Sequence, residues 1–107
     1  MTRQLMLSQV NVHLLDEGST LTLEQLCRAC AADAALIAEL VEEGILTPQG
    51  QALEAWTFSG TNLKHASIAL RLQRDLGVNW PGVALALQLM DELEELRAAL
   101  HRGANAP

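Results

Sequence analysis

Apolar and polar residues alternate in one stretch of the chain and recur at helical spacing in the others. Residues 10–14 read V-N-V-H-L, which places Val10, Val12 and Leu14 on one side of an extended segment. This pattern predicts a short β-strand. From Thr22 onward the apolar residues return every three or four positions, which is typical of amphipathic helices. The predicted protein is therefore mainly helical, with little sheet.

A pair of helices separated by a short turn is predicted first. Thr22 and Gln25 have the spacing of a capping box, in which each side chain satisfies a backbone N–H at the start of a helix. This first helix is expected to end near Ala31. Asp33 can cap a second helix, and Gly44 lies where a left-handed residue would end it. Two helices so closely joined form a helix-turn-helix arrangement.

The segment after the second helix is predicted to be a wing. Residues 47–50 read T-P-Q-G, with proline second and glycine fourth as in a type I turn, and the A-W-T-F that follows has the composition of a strand. Ile45–Phe58 is therefore interpreted as a β-turn or hairpin that could pair with the strand at Val10. Trp56 and Phe58 fall on the same side of that strand and are expected to cover the core.

Two further helices complete the predicted order. Residues 59–77 have a broad apolar side and end at Gly77. In V-N-W-P-G, Asn79 or Trp80 can cap a last helix, because proline is tolerated in a first turn. The 107 residues are expected to form one domain, 1–107. Its parts are the strand, helix-turn-helix and wing at 10–58, the third helix at 59–77 and the C-terminal helix at 80–102.

Composition places limits on the function. Apolar residues make up 50% of the chain and charged residues 19%, and no apolar run approaches the roughly 20 residues that cross a bilayer. The first residues contain no continuous apolar region of the kind found in export signals, so the cytoplasm is the expected compartment. The formal net charge of -6 repels nucleic acid at long range and attracts basic surfaces.

Neither a metal site nor a catalytic site is predicted. Cys27 and Cys30 form a C-x-x-C, but structural zinc needs four ligands, and His13, His65 and His101 are scattered. We interpret the cysteines as small apolar core residues, with a redox or metal sensor as a distant alternative. No nucleophile elbow, phosphate loop or carboxylate dyad occurs in its expected context. We therefore expect a non-enzyme without a cofactor.

The order strand, helix, turn, helix, wing, helix, long helix resembles a MerR-like winged helix-turn-helix domain. Two stretches resemble the chaperone-modulator family CbpM more closely. These are V-E-E-G-I-L-T-P at residues 41–48 and D-L-G-V-N-W-P-G-V-A-L-A-L-Q-L-M-D-E-L at residues 75–93. The likeness extends from about Val10 to Leu100.

The resemblance implies a partner that the composition could not supply. It implies a small bacterial cytoplasmic adaptor that binds the J-domain of a DnaJ-like, DNA-binding co-chaperone of the CbpA type and blocks its contact with Hsp70. An association with the nucleoid through that partner stays open. The alternative is a MerR-like transcription regulator that uses the same fold on DNA.

The second helix, where a helix-turn-helix protein reads DNA, is acidic. No lysine or arginine occurs between Arg28 and Lys64, although DNA readers need cations for phosphates and base edges. Glu39, Glu42 and Glu43 are instead expected on the exposed side, where a basic partner helix could lie. J-domains, by the resemblance, carry such a basic helix. An ordinary solvated helix face remains an alternative.

The last helix carries a candidate dimer seam and a second acidic cluster. Leu89, Leu93, Leu96 and Leu100 step by four, three and four, as in a heptad repeat. A homodimer through this seam is expected, and packing on the chain's own core stays open. The alternative docking site for the basic partner consists of three acidic residues: Asp91, Glu92 and Glu95.

Two features of the helices have competing interpretations. The basic side chains Lys64, Arg71 and Arg74 form a weak stripe along the third helix, and we expect them to pair with nearby acids rather than with phosphates. Trp80 is either an exposed binding anchor or a plug between the third and fourth helices. Its place between a helix end and a proline favours the plug.

Overall fold

The computed structural model describes residues 19–104. The strand predicted at Val10–Leu14 lies outside these residues. The described elements are, in chain order, β1 (Leu21–Thr22), α1 (Leu23–Cys30), α2 (Ala34–Glu42), a 3-10 turn (Leu53–Ala55), β2 (Thr57–Phe58), α3 (Gly60–Leu76) and α4 (Trp80–Ala104). A mainly helical fold with a small two-stranded sheet and a long last helix was predicted, and it is confirmed. No helix within residues 19–104 has the length and apolar content needed to span a bilayer.

The helix-turn-helix forms because both helices are capped by their own sequence. At the start of α1 the backbone N–H of Thr22 donates to Oε1 of Gln25 at 2.9 Å, and the N–H of Gln25 donates to Oγ1 of Thr22 at 3.1 Å. At the start of α2 the Asp33 carboxylate accepts from the N–H of Leu36 at 2.9 Å. Gly44 follows with φ of 79°, in the left-handed region. The predicted caps and helix ends are confirmed.

The wing is a loop that closes on itself and then pairs with the start of α1. Gln49 and Thr57 exchange two backbone hydrogen bonds, each 2.9 Å long. Gly50 is required in this turn, because its φ is 105° and a Cβ atom would lie 2.5 Å from the carbonyl oxygen of Ala55. β2 pairs antiparallel with β1 in the register Leu21 to Phe58. The partner of the wing strand among residues 19–104 is therefore β1.

The core lies between the helix-turn-helix, the wing strand and the two long helices. Its buried apolar residues are Leu26, Ile37, Leu40, Ile45, Leu46, Phe58, Leu63, Ala66, Ile68, Ala69, Leu70, Val83 and Leu87. Asn62 is also buried, and its side chain accepts from the N–H of Thr47 at 3.1 Å and donates to the carbonyl of Thr47 at 3.3 Å. The amide therefore fastens the start of the wing to α3.

The two long helices are joined by a tight turn and by charged contacts. α3 ends at Gly77, which has φ of 66°, and α4 is capped by Asn79, whose side chain accepts from the N–H of Gly82 at 2.8 Å. Asn79 is therefore the cap of the predicted pair Asn79 or Trp80. α4 is 25 residues long, and only its first half packs against the core, through Val83 and Leu87. The described side chains of α4 from Asp91 onward are exposed.

The Asn62 contact with Thr47 should be one of the larger single contributions to stability. We expect Asn62→Ala to lower the free energy of unfolding by about 1–3 kcal/mol, because both backbone groups of Thr47 would lose their partner. Urea unfolding measures this change. Gln73→Ala on the exposed side of the same helix is the control and should change the value by less than about 0.5 kcal/mol. Equal effects of the two substitutions would contradict the assignment.

Candidate functional site

The outward face of α2 carries the predicted acidic stripe. Ile37 and Leu40 are fully buried, and this burial sets the rotation of the helix. Glu39, Glu42 and Glu43 are consequently exposed, as predicted, and Ala35 is exposed on the same side of the helix. Helix geometry explains the agreement, because residues three and four apart share one face.

An open groove runs between this face of α2 and the wing. Its apolar part is formed by the small side chains of α2 together with Trp56, and its acidic part by the end of the helix. The lining residues are Ala35, Ala38, Glu39, Val41, Glu42, Glu43 and Trp56. The ring of Trp56 meets Phe58 edge-on, with centroids 6.0 Å apart and an interplanar angle of 84°. Trp56 is half-buried and packs against the core through this contact, as expected, but it also lines the groove.

The three glutamates of the stripe differ in their surroundings. Glu39 accepts a hydrogen bond of 2.7 Å from the indole N–H of Trp80. Glu42 and Glu43 are exposed, and within residues 19–104 no ion pair or side-chain hydrogen bond involves either carboxylate. Glu42 and Glu43 are consecutive residues at the C-terminal end of α2, where the helix dipole is also negative. The most accessible negative charge of the stripe is therefore at this end.

Trp80 connects the first turn of α4 to α2. Its ring is half-buried and packs against the core, and its N–H reaches Glu39. The interpretation as a packed residue rather than an exposed anchor agrees with this placement. The hydrogen bond of Trp80 is to Glu39 on α2, however, whereas the prediction placed Trp80 between α3 and α4.

The acidic residues of α4 do not form one continuous site. Asp91 lies 3.3 Å from Nε2 of His65 on α3, and Glu92 accepts from the amide of Gln88 at 3.4 Å. Glu95 is exposed further along the helix. The predicted cluster is therefore divided between the surface facing α3 and the open surface of the helix.

The basic stripe of α3 is used largely inside the molecule. Nζ of Lys64 lies 3.1 Å from the carboxylate of Glu94 on α4, and Arg71 lies 3.7 Å from Asp75. Pairing with acids was expected for all three basic residues of the stripe, and it is confirmed for Lys64 and Arg71. Arg74 is exposed near the end of the helix.

The leucine seam of α4 is exposed along its whole length. The exposed fractions are 54% for Leu89, 48% for Leu93, 62% for Leu96 and 73% for Leu100. Among residues 19–104 these leucines do not pack on the core, because α4 presents Val83 and Leu87 to the core from its other side. Leu85 is also exposed, at 56%, but it lies four residues before Leu89, where the heptad spacing would place the preceding seam residue at Ala86. Leu85 therefore lies beside the seam and outside its register.

The two cysteines are half-buried thiols on α1. The Sγ of Cys30 lies 3.9 Å from Oγ of Ser67 on α3. Burial raises the pKa of both thiols, and for Cys27 the nearby negative charge of Asp33 acts in the same direction. Both cysteines pack against the core, as expected, although neither is fully enclosed.

Comparison with known proteins identifies the family. A family model described as MerR HTH family regulatory protein matches residues 21–103. The chaperone modulatory protein CbpM of Coxiella burnetii (strain Dugway 5J108-111) is 36% identical over 87 residues, which cover 81% of this chain and 82% of the relative. The proteins of the same name from Pseudomonas entomophila (strain L48) and Pseudomonas putida (strain W619) are 36% and 37% identical over 78 residues, covering 73% of this chain and 77% of each relative.

The chain belongs to the CbpM family of MerR-like helix-turn-helix proteins. The resemblance based on residues 41–48 and 75–93 is thereby confirmed. The match to the MerR family model includes β1, the wing and all four helices up to Gly103. The groove of α2 and the leucine seam of α4 therefore both lie within the part of the chain that the MerR family model covers.

The raised thiol pKa values predict slow alkylation. Because a raised pKa leaves less thiolate, iodoacetamide should modify Cys27 and Cys30 more slowly at pH 7 than it modifies a free peptide thiol. The rates should rise with pH and level off only above 9.0, the ordinary pKa of a cysteine thiol, because both pKa values are raised from it. Mass spectrometry of the single-thiol variants Cys27→Ser and Cys30→Ser measures each rate. Faster alkylation than the peptide at pH 7 would reveal an activated thiol and restore the sensor hypothesis.

Proposed function

We propose that this protein is a chaperone modulator that binds the J-domain of a DnaJ-like co-chaperone through its acidic surface and so prevents productive contact with Hsp70. The names of the CbpM relatives support the modulatory role. The observation that carries the mechanism is the charge of α2. The helix that would enter DNA in a helix-turn-helix regulator presents exposed carboxylates and no cation.

Electrostatics disfavours DNA at this face. Binding to a duplex requires lysine and arginine to replace the counterions that phosphates hold. The groove offers Glu39, Glu42 and Glu43, and the basic residues Lys64 and Arg71 already face acids of their own chain. A cationic protein surface is the complementary partner, and long-range attraction would speed its association.

Competition for one surface is sufficient for the proposed inhibition. J-domains are expected, from the family resemblance, to carry a basic helix beside the loop that touches Hsp70. An acidic protein bound to that helix covers part of the J-domain surface that Hsp70 needs, so the two cannot occupy it together. The proposed activity involves binding alone, by a single domain comprising residues 1–107, in the bacterial cytoplasm.

We also propose that the protein works as a homodimer through α4. The four leucines of the seam are exposed, and the described side chains of α4 from Asp91 onward are exposed as well. Exposed apolar residues at heptad spacing are buried when a second helix packs beside them. The pairing would use the side of α4 opposite Val83 and Leu87, so it leaves the core unchanged.

Neutralising the end of α2 should weaken partner binding. We expect Glu42→Gln with Glu43→Gln to lower affinity for a purified J-domain by about three- to tenfold at low salt, because two exposed charges that face the partner are lost. The matched control is Glu92→Gln with Glu95→Gln on α4, which removes the same two charges from the formal -6. Titration calorimetry at two salt concentrations measures both variants.

The outcome of this experiment distinguishes the acidic face of α2 from that of α4, and a chaperone modulator from a transcription regulator. A larger loss in the α4 variant would move the contact to Glu92 and Glu95, and equal small losses would indicate attraction by net charge alone. Absence of binding by the wild-type protein, together with tight binding to generic duplex DNA at physiological salt, would overturn the proposal in favour of a transcription regulator.

Polar residues in the seam should abolish the proposed dimer. We expect Leu93→Asn with Leu96→Asn to sediment as a monomer at concentrations where the wild-type protein is a dimer, because the buried apolar contact between helices would be lost. Leu53→Asn is the control, since Leu53 is similarly exposed, at 45%, but lies outside α4. A monomeric wild-type protein would contradict the proposal.

A further inference from the structure

The groove beside α2 is lined by apolar as well as acidic side chains. Ala35, Ala38 and Val41 form one wall, and Trp56 on the wing forms the other. Part of the Trp56 ring is thus exposed to solvent beside three glutamates, which an ordinary solvated acidic surface does not require. The combination points to a partner that has apolar as well as cationic side chains.

Trp56 has the properties of an interface anchor. Its ring is held in place by the edge-on contact with Phe58, which is fully buried. Little conformational freedom is therefore lost when a partner covers the exposed part of the ring. Tryptophans in such positions are prominent among the residues that dominate binding energy.

The acids of the rim have unequal roles. Glu39 is engaged by the indole of Trp80, which fixes its carboxylate at the edge of the groove. Glu42 and Glu43 are exposed at the C-terminal end of α2, and the helix dipole there adds to their attraction for a cation. A cationic side chain should therefore lie at the Glu42 and Glu43 end, and an apolar one against Trp56.

We infer that the groove between α2 and the wing holds an amphipathic basic helix of the partner, with an apolar side chain of that helix on Trp56 and its cations beside Glu42 and Glu43. This inference rests on the proposed function, since the occupant is taken to be a helix of the J-domain. The groove fits this occupant better than the acidic cluster of α4, where Asp91 already faces His65 and the open side carries the leucine seam.

A bulky cation placed in the groove tests the inference directly. Ala35 lines the groove, whereas the neighbouring Ala34 is exposed and does not. Ala35→Arg should weaken binding of the purified J-domain by about tenfold or more, because it adds both volume and repulsion where the partner helix lies. Ala34→Arg introduces the same charge in the same helical turn and should change affinity by less than about twofold.

Fluorescence provides a second readout that does not depend on a destabilising substitution in the wing. The chain has two tryptophans, so Trp80→Phe leaves Trp56 as the only indole. Adding the J-domain to this variant should shift the emission to shorter wavelengths, because the partner removes water from the ring.

The results distinguish failure of the inference from failure of the proposed function. If the J-domain binds, but Ala35→Arg and Ala34→Arg have equal effects and the Trp56 emission is unchanged, the groove is not the contact and the inhibitor proposal survives. If the wild-type protein does not bind the J-domain at all, both fail. Selective loss in Ala35→Arg together with the Trp56 shift supports the inference.

Discussion

The burial of Ile37 and Leu40 is the constraint on which the rest of the molecule depends. These side chains are fully enclosed, so α2 has only one rotation about its axis in which the core is complete. Every exposed residue of the helix is placed by that choice. The acidic stripe, the wall of small side chains and the approach of Trp80 to Glu39 all follow from a packing requirement on the opposite face.

The local elements were predictable because their determinants are local. Thr22, Asp33 and Gly77 cap or end helices through contacts a few residues away, and the helical spacing of apolar residues identifies the buried faces. The pairing of β1 with β2 was not predictable, because two residues on each side carry too little alternation to be recognised. Ala31 is similar: its φ of 54° is a conformation in which glycine or asparagine would have been expected.

Only the charged part of the candidate site could be predicted from the sequence, because only that part lies on a single helix. Its charges lie on one helix, where spacing alone places Glu39 and Glu42 on one side. Its apolar floor requires Trp56, which reaches α2 only because the wing folds back and pairs with β1. The contact between Trp80 and Glu39 likewise joins residues that are 41 positions apart. Contacts of this kind depend on the assembled fold, and no periodic pattern specifies them.

Because a MerR-like fold permits either a DNA reader or a protein binder, the proposal of a protein binder rests on the sign of the charge on α2. The arrangement of α4 adds a second argument. One side of this helix is committed to the core through Val83 and Leu87, and its leucine seam is directed elsewhere. No residue both lines the groove and belongs to the seam. Two copies joined through α4 would therefore each retain a groove, so dimerisation and partner binding need not compete for the same side chains.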